Sequence, residues 1–198
     1  MKKSKALIFI ISAAFFLVSP VCAFSQQVNS ARVEKNRENY IVIKSSYAVI
    51  RADKEVDLKK AVKKVNVNFA RYDPVESKIF LDKGVSAAAR FANKVDIIVR
   101  KAKKILDMHP HGFQVNIRLY KNHRKLRNAY EEIFKERKDY IAFYIHKFRT
   151  VYISMEHISE SVLAHEIGHA IIDSYFGILP PHKIRELLAC YVDVHLKD

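Results

Sequence analysis

The feature that most constrains this chain of 198 residues is an apolar segment, residues 161–173, that contains two histidines and a glutamate. Ser159 is a suitable N-cap and Glu160 suits the positive end of a helix dipole, so the segment is predicted to form an α-helix. His165 and His169 are four residues apart, which places both imidazoles on one face of that helix. Polar groups in so apolar a helix are costly unless they are satisfied, and a metal ion would satisfy them.

Glu166 follows the first histidine and completes the pattern His-Glu-x-x-His. Zinc accepts imidazole nitrogen at about 2.0–2.1 Å, which two such rings satisfy without distorting the helix. The glutamate lies one step from the ligand direction, so its carboxylate can reach a water on the metal. Zinc lowers the pKa of that water toward about 7, and Glu166 accepts its proton as it attacks a carbonyl. The pattern therefore predicts that His165 and His169 bind zinc and that Glu166 is a general base.

A catalytic zinc site needs a third protein ligand and an open position for water. Gly177 can end the first helix, and Pro180 and Pro181 can turn the chain and begin a second one, which contains Glu186. Glu186 lies 17 residues after His169 and is the favoured third ligand. The alternatives are Asp193, His182 and His195. An apolar stripe on this helix consists of Ile184, Leu187, Leu188 and Tyr191.

Residues 165–169, followed by residues 186–191, resemble the zinc metallopeptidases of the gluzincin type, and especially the peptidase-MA-like bacterial proteins. The resemblance covers about residues 150–196. It implies a zincin-like α+β domain over residues 40–198, with a short mixed sheet, an active-site helix and a following ligand-bearing helix. It also implies one Zn²⁺ ion bound by His165, His169 and Glu186, with Glu166 as catalytic base.

The family comparison adds one likeness, the strand of residues 150–155, and two departures, at Leu187 and at the residue that holds the oxyanion. Residues 150–155 resemble the strand that lies along the substrate cleft, and Leu187 stands where relatives often have glycine. Larger relatives hold the oxyanion with a tyrosine or a histidine, and the nearby candidates here are Tyr191 and His195. Asp173 is either an acceptor that orients a ligand histidine or a solvated carboxylate at the helix end.

The first 23 residues predict a secretory signal peptide that is cleaved after Ala23. Lysines 2, 3 and 5 precede an apolar run, Ala6–Val18, which is shorter than the about 20 residues of a spanning helix. An uncleaved anchor and a lipoprotein signal through Cys22 are the weaker alternatives. We therefore expect an exported protein, periplasmic or secreted, with a flexible lead over residues 24–39. With only Cys22 and Cys190, a disulfide framework is excluded.

The formal net charge of +14 falls to +11 without the three lysines of the signal peptide (14 − 3). A basic exported protein can meet acidic peptides, an anionic envelope polymer or a lipid surface. The lysines are spread along the chain, and no nucleic-acid motif is present, so we expect no nucleic-acid partner. The predicted function is a zinc metallopeptidase that acts on a peptide or protein substrate, and the alternative is a non-catalytic zinc-binding protein of the cell envelope.

Hydrophobic patterning predicts a single α+β domain. Residues 40–50 predict one bent strand or a tight hairpin, and residues 113–119 alternate as a half-buried strand does. His109 and His111 flank Pro110 in a predicted surface loop, with metal binding as the alternative. The predicted helices contain Leu58 to Phe69, Val85 to Leu106 and about His123 to Phe134, with Val85 to Leu106 packed in the core instead of forming a coiled-coil seam. A hairpin is predicted over residues 140–155.

Overall fold

The computed structural model describes residues 32–35, 39–67 and 85–196, so the predicted signal peptide lies outside the described residues. These residues form a mixture of strands and helices, which confirms the α+β class. In chain order the elements are β1 (Arg32–Lys35), β2 (Tyr40–Lys44), β3 (Ala48–Asp53), α1 (Leu58–Lys64), α2 (Ala87–Leu106), β4 (Val115–Tyr120), α3 (His123–Phe134), β5 (Ala142–Ile145), β6 (Thr150–Ser154), α4 (Glu160–Tyr175) and α5 (His182–His195).

The described strands form one mixed sheet in the order β1-β2-β3-β4-β6-β5. The central strands β3, β4 and β6 are parallel, because helices connect β3 to β4 and α3 lies between β4 and the final hairpin. The outer pairs are antiparallel, and two of these pairs, β2–β3 and β5–β6, are hairpins. The predicted hairpin over residues 140–155 is therefore confirmed.

The two faces of the sheet carry different layers. Along β4, Val115, Ile117 and Leu119 are buried in the main core, whereas the alternate residues lie on the opposite face. Helices α1, α2 and α4 contribute their apolar residues to this main core. Helix α3 contributes Leu126 and Tyr130 to a smaller cluster on the other face, where they pack against Phe143 of β5. The site described below lies on the side of the main core.

The segment between β2 and β3 is a tight hairpin, which resolves the alternative that the sequence leaves open. The Ser45 N–H donates to the carbonyl of Ala48 at 2.9 Å. The buried carboxylate of Asp96, on α2, holds this turn. It accepts hydrogen bonds from the Ser45 hydroxyl at 2.6 Å and from the backbone N–H groups of Ser46 and Tyr47 at 3.0 and 3.1 Å. One side chain thus fixes the hairpin to the long helix.

The prediction of a flexible lead over residues 24–39 is wrong for four of its residues. Arg32–Lys35 is strand β1, which pairs with β2 in an antiparallel register that places Arg32 opposite Lys44. The pairing covers an edge of β2 that would otherwise expose backbone hydrogen-bonding groups. Such pairing depends on the neighbouring strand, so the polar composition of the segment did not reveal it.

Two helices differ from their predicted limits. Helix α1 ends at Lys64, and the buried residues that follow it, Val65 and Val67, are two apart, which is the spacing of extended chain; Phe69 lies outside the described residues. Helix α2 begins after Ser86, whose hydroxyl accepts from the Ala89 N–H at 3.2 Å. The predicted stripe of α2 is buried from Ala88 to Ala102, so its packing in the core is confirmed.

Helix α2 ends at Leu106, and its C-cap residue Asp107 takes a left-handed conformation with φ of 51°. The end at Leu106 agrees with the limit that the hydrophobic pattern predicts. The loop that follows is exposed, as predicted, with the His109 side chain 64% accessible. Among the described helices, none combines the length and the apolar character needed to cross a membrane.

We predict that Asp96→Ala lowers the free energy of unfolding by about 2–4 kcal/mol, because it removes an acceptor shared by three donors in a part-buried turn. Asp96→Asn keeps one carbonyl oxygen and loses less. The measurement is urea unfolding at neutral pH. Asp107→Asn is the control, since that side chain is 98% exposed and Asn tolerates the left-handed conformation. A loss for Asp96→Ala no larger than for this control would contradict the account of the turn.

Candidate metal centre

Helix α4 begins as the sequence predicts. The Ser159 hydroxyl accepts a hydrogen bond from the Val162 N–H at 3.2 Å, and Glu160 lies in the first turn. The helix is inserted in the core, so that Leu163, Ile167 and further apolar residues are fully buried. It ends at Tyr175, with Phe176 as C-cap, slightly before the predicted terminator Gly177. The two histidines and the glutamate are therefore carried by a helix that is surrounded by protein.

Helix α5 packs closely on α4 at Gly168. A Cβ atom built on Gly168 would lie 3.4 Å from both the Cα of Ala189 and a methyl carbon of Val192. Ala189 and Val192 are fully buried, and they form the packed side of α5. A glycine facing an alanine lets the two backbones approach, as it does at other close helix contacts.

Most of the predicted apolar stripe of α5 faces solvent. Ile184 is 45% exposed, Leu187 is 65% exposed and Tyr191 is 48% exposed, whereas Leu188 is partly buried against the core. The reason is the contact at Gly168, which accepts small or β-branched side chains and therefore turns the larger ones outward. Reading this stripe as the packed side of the helix would be wrong for three of its four residues.

Three side chains converge between the two helices. The Nε2 atoms of His165 and His169 are 3.2 Å apart. One carboxylate oxygen of Glu186 lies 3.4 Å from the Nε2 of His169, and the other lies 3.7 Å from the Nε2 of His165. One ligand atom from each residue can be chosen so that all three lie within 4.8 Å of one another. No other group of three metal-binding side chains meets this condition in the described parts of the chain.

The donor set and its spacing fit a zinc ion. Two ligand atoms at about 2.0–2.1 Å from a tetrahedral zinc are about 3.3–3.4 Å apart, close to the distances found here. Two imidazoles and one carboxylate are also an established ligand set of catalytic zinc, which leaves a fourth position open. The accessible fraction of the side chains is 25% for His165, 13% for His169 and 42% for Glu186, so the centre is reached from one side.

Burial sets the protonation of the centre. It raises the pKa of Glu166 to about 8, and the negative charge of Glu186 acts in the same direction. Burial also lowers the pKa of His169 to about 4, against the effect of Glu186 and together with smaller effects of His165, Arg185 and His182. Neutral imidazole is the form that binds a metal, so His169 is prepared as a ligand. A cation bound nearby would favour the ionised form of Glu166.

The alternative ligands lie elsewhere or contact only part of the cluster. Asp193 accepts a hydrogen bond from the Ser161 hydroxyl, about 10.5 Å further along α5 than Glu186. His182 is 73% exposed, and its Nε2 lies 3.4 Å from the Glu186 carboxylate, outside the group of three. His195 has its Nδ1 at 2.9 Å from the carbonyl oxygen of Tyr191.

The two oxyanion candidates point away from the centre. Tyr191 and His195 follow Glu186 by five and nine residues, which are about 140° and 180° around a helix from it. Their rings contact one another, with centroids 4.0 Å apart and planes tilted by 36°. Both residues are close to Glu186 in the sequence, but the helical period places them on the opposite side of α5 from it.

Asp173 has neither of the two roles that the sequence suggested. Its side chain is 3% exposed, and it accepts a hydrogen bond of 2.7 Å from the Tyr144 hydroxyl and contacts the Nδ1 of His146. These partners lie at the end of β5 and directly after it, so Asp173 ties α4 to that strand. The reason is that α4 packs along β5, which the sequence alone does not indicate. Its carboxylate also raises the pKa of Tyr144, together with burial.

The strand at the exposed edge beside α4 is β5, not the segment 150–155 that resembled the cleft strand. Strand β6 is paired on both sides, with β4 and with β5, so its backbone groups are used within the sheet. Among the described strands, β5 is the last one of the sheet and pairs on one side only, with β6. A peptide that adds to the sheet beside the centre would therefore pair with β5.

Sequence reasoning missed Arg185. Its Nε–H is buried and has no acceptor among the described residues. A signal was present in the sequence, since Arg185 directly precedes the predicted ligand and lies near the start of a helix, where the dipole disfavours a cation.

The chain was compared with known proteins in three ways. No protein-family model matches the sequence, and neither a curated protein nor a solved structure shows significant similarity to it.

We predict that Gly168→Ala keeps the fold and raises the free energy of unfolding by about 0.5–1 kcal/mol, because the new methyl group fits at contact distance and glycine is unfavourable inside a helix. Gly168→Leu should lower it by about 1–3 kcal/mol, because the longer side chain forces α5 away. Thermal or urea unfolding of the two variants measures the difference. Equal stability of both variants would contradict the close contact.

Proposed function

We propose that this chain is an exported zinc metallopeptidase with a zincin-like fold, in which His165, His169 and Glu186 hold one zinc ion and Glu166 is the general base. The observation that carries the proposal is the convergence of two imidazole nitrogens and a carboxylate at 3.2–3.7 Å from one another. Its support is the chemistry of this donor set beside a buried glutamate. A structural zinc site has no use for such a base and prefers a closed, cysteine-rich shell.

The residues of the candidate centre have defined parts in the proposed reaction. A zinc ion in this centre would supply a Lewis acid that activates water toward a peptide carbonyl. Glu166 accepts the proton that the attacking water loses and later donates it to the leaving amine. A bound cation would favour the ionised form of Glu166, which is the form that accepts a proton. The free edge of β5 supports the peptide in an extended conformation.

The second candidate function is a non-catalytic zinc-binding protein of the cell envelope. The observation that favours it is the apolar surface of α5, where Leu187 and Val194 are 65% and 68% exposed. Exposed apolar side chains on one helix face are typical of interaction surfaces. Export of the protein, to the periplasm or the exterior, is part of both candidates and remains a prediction from residues 1–23.

The ligand assignment predicts that Glu186→Ala weakens zinc binding by more than about 100-fold, because loss of a ligand exceeds the 10–100-fold effect of losing a supporting partner. Asp193→Ala is the matched control, since this acid lies on the same face of the same helix and contacts Ser161. The measurement is the zinc dissociation constant by competition with a chromophoric chelator. A large loss for Asp193→Ala and none for Glu186→Ala would show that the wrong carboxylate was chosen.

The base assignment predicts that Glu166→Gln retains zinc and loses at least about 100-fold in peptide hydrolysis. Zinc content is measured by elemental analysis, and hydrolysis by mass spectrometry on a mixed peptide library. Loss of zinc in this variant would identify Glu166 as a ligand. A parent protein that binds zinc and cleaves no peptide would instead support the non-catalytic candidate.

A further inference from the structure

Arg185 is a cation whose partner is not among the described residues. It is half-buried in α5, its Nε–H is shielded from solvent, and neither a hydrogen bond nor an ion pair joins it to the parts of the chain that the structure describes. Arg127 also has a shielded Nε, but its guanidinium lies 3.7 Å from the carboxylate of Asp139. A buried donor without an acceptor is costly. We therefore expect the guanidinium of Arg185 to bind an acceptor from outside the described residues.

The place of Arg185 in the fold is beside the metal centre. It directly precedes Glu186, and it lies one helical turn before Ala189, on the same side of α5. That side faces α4, because the Cα of Ala189 is 3.4 Å from the Cβ position of Gly168, the residue before His169. The guanidinium therefore belongs to the interface of the two helices that carry the three proposed ligands.

The surroundings of Arg185 favour an anion. The first turn of α5 contains Lys183 and no acidic residue, and its backbone N–H groups add the positive end of the helix dipole. A guanidinium offers a planar pair of donors, which matches both oxygens of a carboxylate. In a peptide, carboxylates occur at the C-terminus and on aspartate and glutamate side chains.

We propose that Arg185 binds a carboxylate of the substrate, so that the centre selects peptides with a negative charge next to the bond that is cut. This inference rests on the proposed function. A carboxylate at the C-terminus would make the protein remove terminal residues, and an acidic side chain would make it cut beside that residue. The shared chemistry is the pairing of one carboxylate with Arg185.

The test measures binding, not turnover. Three probes are titrated into the full chain by calorimetry: N-acetyl-Ala-Leu with a free carboxylate, its carboxamide, and N-acetyl-Ala-Glu-amide. At least one of the two carboxylate probes should bind about tenfold or more tightly than the carboxamide, because only a carboxylate can pair with the guanidinium. Tighter binding of the glutamate probe than of the free acid would assign the site to an acidic side chain instead of the C-terminus.

The variants identify the group that is responsible. Arg185→Gln should remove the preference for the carboxylate, and Arg185→Lys should keep only part of it, because lysine retains the charge without the paired donors. Lys183→Gln is the matched control, an exposed cation on the same helical turn, and should change the preference less than about threefold. Circular dichroism checks that each variant is folded. Equal binding of all three probes to the parent, no measurable binding of either carboxylate probe, or an unchanged preference in Arg185→Gln would overturn the proposal.

The same titrations separate this inference from the proposed function. They are performed on both the metal-free and the zinc-treated protein, and zinc content is measured independently. Since Arg185 is held by α5, its preference for a carboxylate should persist without metal. A chain that binds no zinc but prefers a carboxylate probe would support the role of Arg185 and contradict the proposed peptidase. A chain that binds zinc and shows no preference would support the metal centre and contradict the role of Arg185.

Discussion

The close contact between α4 and α5 is the constraint on which the candidate centre depends. The backbones lie so close that a Cβ atom at Gly168 would be in van der Waals contact with the Cα of Ala189. His169 is the next residue on α4, and Glu186 lies one turn before Ala189 on α5. A single helix contact thus brings two imidazoles and a carboxylate together. The same contact turns the large apolar residues of α5 toward solvent.

The second constraint is the burial of the polar residues themselves. His169 and Glu166 belong to a helix whose other side chains are largely in the core. Burial lowers the pKa of His169 and raises the pKa of Glu166, so that it favours the neutral form of both side chains. Such groups are unfavourable in a core unless something satisfies them. A bound cation would satisfy the imidazole directly and favour the carboxylate form of the glutamate. The burial of these polar side chains therefore favours the proposed metal centre over a purely structural role in packing.

The sequence predicted the elements well because their signals are local. The N-cap at Ser159, the buried stripe of α2 and the alternation along β4 each depend on a few neighbouring residues, and each prediction is confirmed. The spacing of His165 and His169 likewise follows from the helical period. For these features, propensity and hydrophobic pattern agree with the fold.

The features that were missed depend on contacts between distant segments. Strand β1 requires the edge of β2, the burial of Asp173 requires the position of β5, and the solvent-facing stripe of α5 requires the contact at Gly168. The position of Arg185 before Glu186 was visible in the sequence, but the lack of an acceptor for its Nε–H among the described residues depends on its surroundings. These relations are set by tertiary packing, and no pattern within one segment encodes them.

The most direct test of the account is the zinc content of the purified protein and of its His165→Ala variant, measured by elemental analysis after incubation with the metal and removal of the excess. The account predicts about one zinc per chain in the parent and little in the variant. No zinc in the parent, or equal zinc in both proteins, would contradict the proposed centre.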